Sequence, residues 1–178
     1  MSTVVVSDSS PLHYLVLCEA AHVLPHLFER VIIPTAVLQE LQHPHTPELV
    51  RQWMSALPPW AEVRPASEGM LDVKLGLGET EAINLALKIQ AAAVLIDDGK
   101  ARKAASRHGL IVLGTLPILE EAAARHLIDL PQTIVALQRT NFHVTPHLIA
   151  ATLDRYSRRV GEQERSSETP PRRPGIKP

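Results

Sequence analysis

The sequence predicts an α/β protein, a three-layer α/β/α arrangement around a mostly parallel central sheet. Three observations predict it. Short β-branched runs alternate with helical stretches along the chain, the pattern of βαβ units. The runs VVVS, VLID and LIVL are almost wholly apolar, as strands covered on both faces are. The length of 178 residues, with 45% apolar and 21% charged side chains, suits one domain with a real core.

The elements follow in order. Residues 3–7 (TVVVS) form a first buried strand. Ser9, Ser10 and Pro11 supply cap and first-turn chemistry for a helix to about Leu17. Residues 31–33 are a second strand, and Pro34 and Thr35 open a helix to about Leu41. Thr46 and Pro47 open another, ending near Ala56, where Pro58 and Pro59 stop it. Residues 61–64 are a short strand. Gly76 and Gly78 precede a helix over 79–90. Residues 94–97 are a strand and 100–108 a helix closed by Gly109. Residues 110–113 are the last strand, followed by helices over 116–124, 131–139 and 146–156. From residue 158 the chain reads RRVGEQERSSETPPRRPGIKP, with four prolines and little to bury. Residues 1–157 are therefore expected to fold and residues 158–178 to form a disordered tail.

Composition excludes several classes of function. No apolar run approaches the roughly 18 residues that span a bilayer. The opening MSTVVVSDSS lacks a basic n-region and a long apolar h-region, so a cytoplasmic protein is expected. Cys18 is the single cysteine, which excludes an intrachain disulfide and a cysteine-based zinc site. Aromatics make up 3%, few for a protein that stacks bases on aromatic platforms. Residues 155–178 hold seven basic groups against three acidic; residues 1–154 hold eleven against sixteen. An acidic domain does not hold nucleic acid through bulk charge. It needs local basic groups or bound cations.

The acids have a pattern. In doubly wound sheets, ligands bind beyond the carboxyl ends of the strands. Asp8 follows VVVS, and Asp97 and Asp98 follow AVLI. Glu40 sits in the last turn of its helix, where the helix field disfavours an anion. Glu79 and Glu81 sit in a first turn, where that field favours one. Two like charges about 4 Å apart repel by roughly 1 kcal/mol in water and roughly 4 at an effective dielectric of about 20. Clustered carboxylates therefore call for protons or hard divalent cations, and Mg²⁺ or Mn²⁺ suits an all-oxygen site. Such ions acidify water and stabilise the oxyanions of an in-line attack on phosphate.

The segments VVVSDSSPLHYL, VIIPTAVLQEL, GLGETEAINLAL, AAVLIDDGKARKAA and GLIVLGTLPIL, in that order, resemble the PIN-domain nuclease family. The likeness is closest to the branch with an IDD-x-K/R-x-R signature that resembles VapC-type toxins. It spans about residues 3–140. The resemblance implies a parallel α/β sheet and a metal-dependent single-strand ribonuclease, the toxin of a toxin–antitoxin pair. It implies a small antitoxin partner, a homodimer and no membrane. The family's first acid and the hydroxyl after it map to Asp8 and Ser9, its second acid to Glu40, its third to Glu81 and its fourth to Asp98. Glu stands where the third acid is more often Asp, and Glu79 is close by. The fourth position is doubled, so Asp97 is an alternate; strand alternation lets only one of that pair face the site. Lys100 and Arg102 are candidates for substrate phosphate. The Glu in the third position and the low basic content leave a second expectation, a catalytically weak PIN-like binding or regulatory module.

Other signals are set aside. The nine histidines contain no H-E-x-x-H, and Pro25 lies between His22 and His26. Gly76-Leu77-Gly78 begins like a dinucleotide loop, but Glu81 stands where the third glycine belongs, and an acid there repels phosphate. Cys18 has no activating base in its sequence neighbourhood. Ser9 and Ser10 lack a nucleophile-elbow pattern. An aspartyl phosphatase typically has a second acid two residues after the first, and position 10 is Ser.

Overall fold

A computed structural model describes residues 3–66 and 74–167 of the chain. Alternation of apolar side chains explains its layers. Along β1 (Val4–Ser7), Val5 packs into one apolar cluster and Val6 into the other. In β2 (Arg30–Pro34), Val31 and Ile33 face the first cluster and Ile32 the second. In β4 (Ala93–Leu95), Ala93 and Leu95 face the first and Val94 the second. Successive side chains on a strand point to opposite faces, so near-continuous apolar runs require cover on both. The first face is covered by α1 (Ser9–Leu17), α4 (Glu48–Ser55), α7 (Thr115–Ala124), α8 (Leu130–Gln138) and α9 (Pro146–Ser167). The second is covered by α5 (Leu77–Lys88) and α6 (Gly99–Arg107).

With β3 (Ala61–Arg64) and β5 (Val112–Leu113), the strands form one parallel sheet in the order β3-β2-β1-β4-β5. The chain builds outward from β1 to β2 and β3, then returns to the other side of β1 for β4 and β5. The reversal falls between β1 and β4, where Val6 pairs with Val94 and Ser7 with Leu95. The crevice beyond the carboxyl ends at such a reversal is where ligands bind. Asp8 and Asp97 stand on its two sides.

A 3-10 turn (Ala21–Val23) leads into α2 (Leu24–Leu27), with Pro25 in its first turn. Proline lacks a donor that the first turn does not need. Further on, α9 continues to Ser167, beyond the expected end near Tyr156 and into the stretch expected to be disordered. Arg155 pairs with Glu120 on α7, Arg159 reaches Glu121 on the same helix at 3.7 Å, and Arg158 pairs with Asp154 one turn back at 2.7 Å. Charges that look merely solvating in the sequence tie the helix to its neighbour. Residues 168–178 lie outside the described residues. Among the described residues no helix is long and apolar enough to cross a membrane.

Candidate active site

Asp8 is seated by β1, the central strand. Its backbone N–H donates to Leu95 O at 2.9 Å, extending the β1–β4 pairing by one bond. It occupies the cap position of α1 and its side chain makes no cap bond to the next turn. The residue is 3% exposed. Burial pushes its carboxyl up to about 7; the Ser9 backbone N–H opposes this, while the charges of Glu79, Glu40 and Asp97 add to it. Asp8 is thus the buried centre of a group of acids drawn from β1, α5, α3 (Thr35–Leu41) and the end of β4.

Glu40 lies in the last turn of α3, as the sequence implied. Ser9 Oγ donates to Glu40 Oε2, and Gly78 N donates to Oε1 at 3.0 Å. Ser9 therefore orients Glu40. Gly78 has a steric reason to be glycine: a methyl there would lie 2.7–2.9 Å from the Glu40 carboxylate atoms. The space that methyl would fill is the seat of the carboxylate.

Both doubled acids divide their tasks. Glu79 acts on Asp8 and accepts from Gly76 N at 2.9 Å in the first turn of α5. Glu81, the first choice for the third acid, is not among the charges acting on Asp8. Its carboxylate accepts from Ala36 N at 2.9 Å and so satisfies a free donor at the start of α3. Asp97 acts on Asp8, and Thr115 holds it: the Thr115 N–H donates to Oδ1 and the Thr115 hydroxyl to Oδ2, both at 2.7 Å. Burial raises the Asp97 carboxyl, against the Thr115 bonds and the positive charge of Arg102. Asp98, the first choice for the fourth acid, caps α6 by accepting from Lys100 N at 2.8 Å and Ala101 N at 2.9 Å. The strand has ended by Leu95, so the two acids leave on separate errands.

The two basic candidates also part. Lys100 Nζ donates to the Lys74 backbone carbonyl at 2.6 Å. Arg102 Nη1 donates to Ile96 O at 3.1 Å and lies beside Asp97. A methyl on Gly114 would fall 2.6 Å from Arg102 Nη1 and 2.9 Å from Asp97 Oδ1, so this glycine makes room for both groups. Sequence reasoning missed Thr115, Gly78, Gly114 and Tyr14, whose hydroxyl is raised by burial and by the Asp97 charge. Thr115 was findable, since it lies two residues beyond the end of a strand.

The donor set is all oxygen, which suits a hard divalent cation. Asp8 is a buried carboxylate with no basic side chain among the groups acting on it. That chemistry fits a cation. Among the described residues, however, no three acids or histidines stand in ligating positions together. Glu40, Glu79 and Asp97 are each held by a neutral donor instead.

No curated protein matches the chain. Among solved structures, a PilT N-terminus domain protein from the hyperthermophilic archaeon Sulfolobus solfataricus P2 is similar at 14% identity, with a TM-score of 0.45. The match covers 80% of this chain and 99% of that one. A family model described as a PIN domain (DUF3368) matches residues 4–158, nearly the whole of the described fold. PIN domains are generally nucleases, and this chain belongs to the PIN domain family.

Proposed function

We propose that this PIN domain is a divalent-metal-dependent endoribonuclease that cuts single-stranded RNA, working as the toxin of a VapC-like toxin–antitoxin pair. The observation that carries the reading is Asp8: a buried carboxylate at the sheet's reversal point, ringed by Glu79, Glu40 and Asp97. Grouping such charges is unfavourable without a counter-ion. Asp8 and Glu40, with Glu79 and Asp97 as further oxygen donors, would hold Mg²⁺ or Mn²⁺. The ion, when bound, neutralises these acids and lowers the pKa of a coordinated water for attack on phosphate.

The chain's own groups prepare that chemistry. Ser9 and Gly78 N fix the Glu40 carboxylate from two directions. Thr115 fixes Asp97 from both its oxygens. Burial and the neighbouring acids push the Asp8 carboxyl up to about 7, so a cation binding there would compete with a proton. Arg102 brings the nearest positive charge to Asp97 and is the candidate contact for a substrate phosphate. A small antitoxin protein covering this edge, a homodimer and a cytoplasmic location extend the same reading.

The test uses labelled RNA oligonucleotides with Mn²⁺, Mg²⁺ or a chelator. Cleavage is expected with either ion, absent with chelator, and lost in Asp8→Asn while the fold persists. Cleavage that survives Asp8→Asn removes the assignment. One observation favours a second reading, a binding or regulatory module: no three acids are preset to ligate among the described residues. Metal binding by calorimetry without any RNA cleavage would select it.

A further inference from the structure

Among the described residues, cavities border Glu40, Glu79 and Asp97, and the one on the Asp97 side has a composition the nuclease chemistry does not use. It measures about 410 Å³ and lies between α6, α7 and the α8–α9 connection. Its apolar wall is Leu116, Pro117, Phe142, Val144 and Leu148. Leu148, 44% exposed on the first turns of α9, presents an apolar side chain to the cleft. Asp97 and Arg102 stand at one side. His143 and the Arg155–Glu120 pair stand at the other.

The charges here balance. Arg102 lies beside Asp97, and Arg155 is paired with Glu120 and donates to Thr152 Oγ1 at 3.1 Å. A cleft with apolar walls, balanced charges and several hydrogen-bonding groups suits a flat neutral heterocycle better than a phosphate. Its size falls within the range of small-molecule sites. The aromatics agree. The chain has two Phe, two Tyr and two Trp, and Trp53 and Trp60 pack on each other beneath the first face. Tyr14 and Phe142 meet edge to face at 4.7 Å between ring centres. Tyr14 lies close enough to feel Asp97, and Phe142 lines the cleft. The low aromatic content hides a local concentration at the site.

We propose that this cleft seats the nucleobase adjoining the scissile phosphodiester of a single-stranded RNA, with Phe142 and Leu148 against its face and His143 and Arg155 at its edge. It makes the enzyme selective for the nucleotide next to the cut. The proposal rests on the ribonuclease reading above and adds a specificity pocket to it.

The test compares wild type with Leu148→Glu, a change at an exposed helical position that the fold tolerates, and with Phe142→Ala. Each receives one RNA oligonucleotide and its copy with an abasic residue next to the mapped cut. Wild type is expected to lose about tenfold in kcat/KM on the abasic copy, the scale of one lost base–aromatic contact. Leu148→Glu is expected to lose about as much on the intact RNA and little more on the abasic one. Equal selectivity in wild type and Leu148→Glu overturns the pocket while leaving the nuclease intact. If wild type cuts no RNA, the nuclease reading fails separately, and fluorescence anisotropy with the same two oligonucleotides decides the pocket: tighter binding of the intact strand, abolished by Leu148→Glu, supports it, and equal binding overturns it. Loss in Leu148→Glu of a co-purifying protein, with RNA binding unchanged, assigns the cleft to a protein partner and also overturns it.

Discussion

The two flanks of Asp8 are built on different principles. On the α3 side, the Ser9 hydroxyl and the Gly78 amide, both neutral donors, position Glu40, and among the described residues no basic side chain is paired with it. On the β4 side, Asp97 is gripped by both donors of Thr115 and has Arg102 beside it. One flank has an unbalanced charge on a glycine-lined seat. The other is already compensated and opens onto an apolar cleft. On the proposed reading the difference divides roles: an added cation would gain most at the Glu40 flank, and substrate would be held at the Asp97 flank.

Breaking the Glu40 flank has the largest expected effect. Gly78→Ala places a methyl where the Glu40 carboxylate sits, 2.7 Å from Oε2. Alanine normally favours a helix over glycine by roughly 0.5–1 kcal/mol, so the fold survives. Cleavage is expected to fall about a hundredfold, the usual penalty for a displacement near 1 Å at a reacting centre. Retained activity in Gly78→Ala would show that the Glu40 seat is unimportant.

A smaller effect follows from Asp8 itself. Its carboxyl is raised from 3.8 to about 7 in the folded chain. The folded state therefore holds this proton more tightly than the unfolded state. Its contribution to stability is complete below about 3.8, declines as pH rises toward 7, and is lost above. With chelator present, Asp8→Asn is expected to be more stable than wild type at pH 8, by roughly 1–3 kcal/mol, and to differ little at pH 4. Mn²⁺ at pH 8 should restore wild type and leave the variant unmoved. Urea denaturation at the two pH values measures both differences. A wild type as stable as Asp8→Asn at pH 8 contradicts the buried-charge account.

The smallest effect sharpens the contrast within one dipeptide. Asp98→Ala removes the α6 cap and is expected to lower stability by about 1 kcal/mol while leaving metal-dependent cleavage close to wild type. Asp97→Asn is expected to do the reverse, with cleavage the larger loss. Thermal melting and kcat measured on both variants would expose an exchange of the two roles.

The elements were largely legible because their signals are local. Apolar runs marked four of the five strands, and prolines marked several helix starts. The same locality misjudged the length of α9, where Arg155 and Arg159 pair with acids on α7. The placement of Asp8 just after β1 and of Glu40 in the last turn of α3 was readable in the sequence. The division between Glu79 and Glu81 was not, because it depends on which carboxylate faces Ala36 N across α3. Nor was that between Asp97 and Asp98, which depends on Thr115 arriving at the start of α7. Gly78 and Gly114 read as loop or helix-start residues, and only the packed structure reveals whose atoms fill the space beside them.

The bond from Asp8 N to Leu95 O has a consequence for the life of the chain. The residue at the centre of the site is fixed by a strand that leaves the ribosome almost ninety positions later. An emerging polypeptide can complete its first three strands and still lack half of the acid ring. On the proposed reading, such a chain would hold no complete acid ring until β4 docks against β1 and Thr115 arrives to hold Asp97.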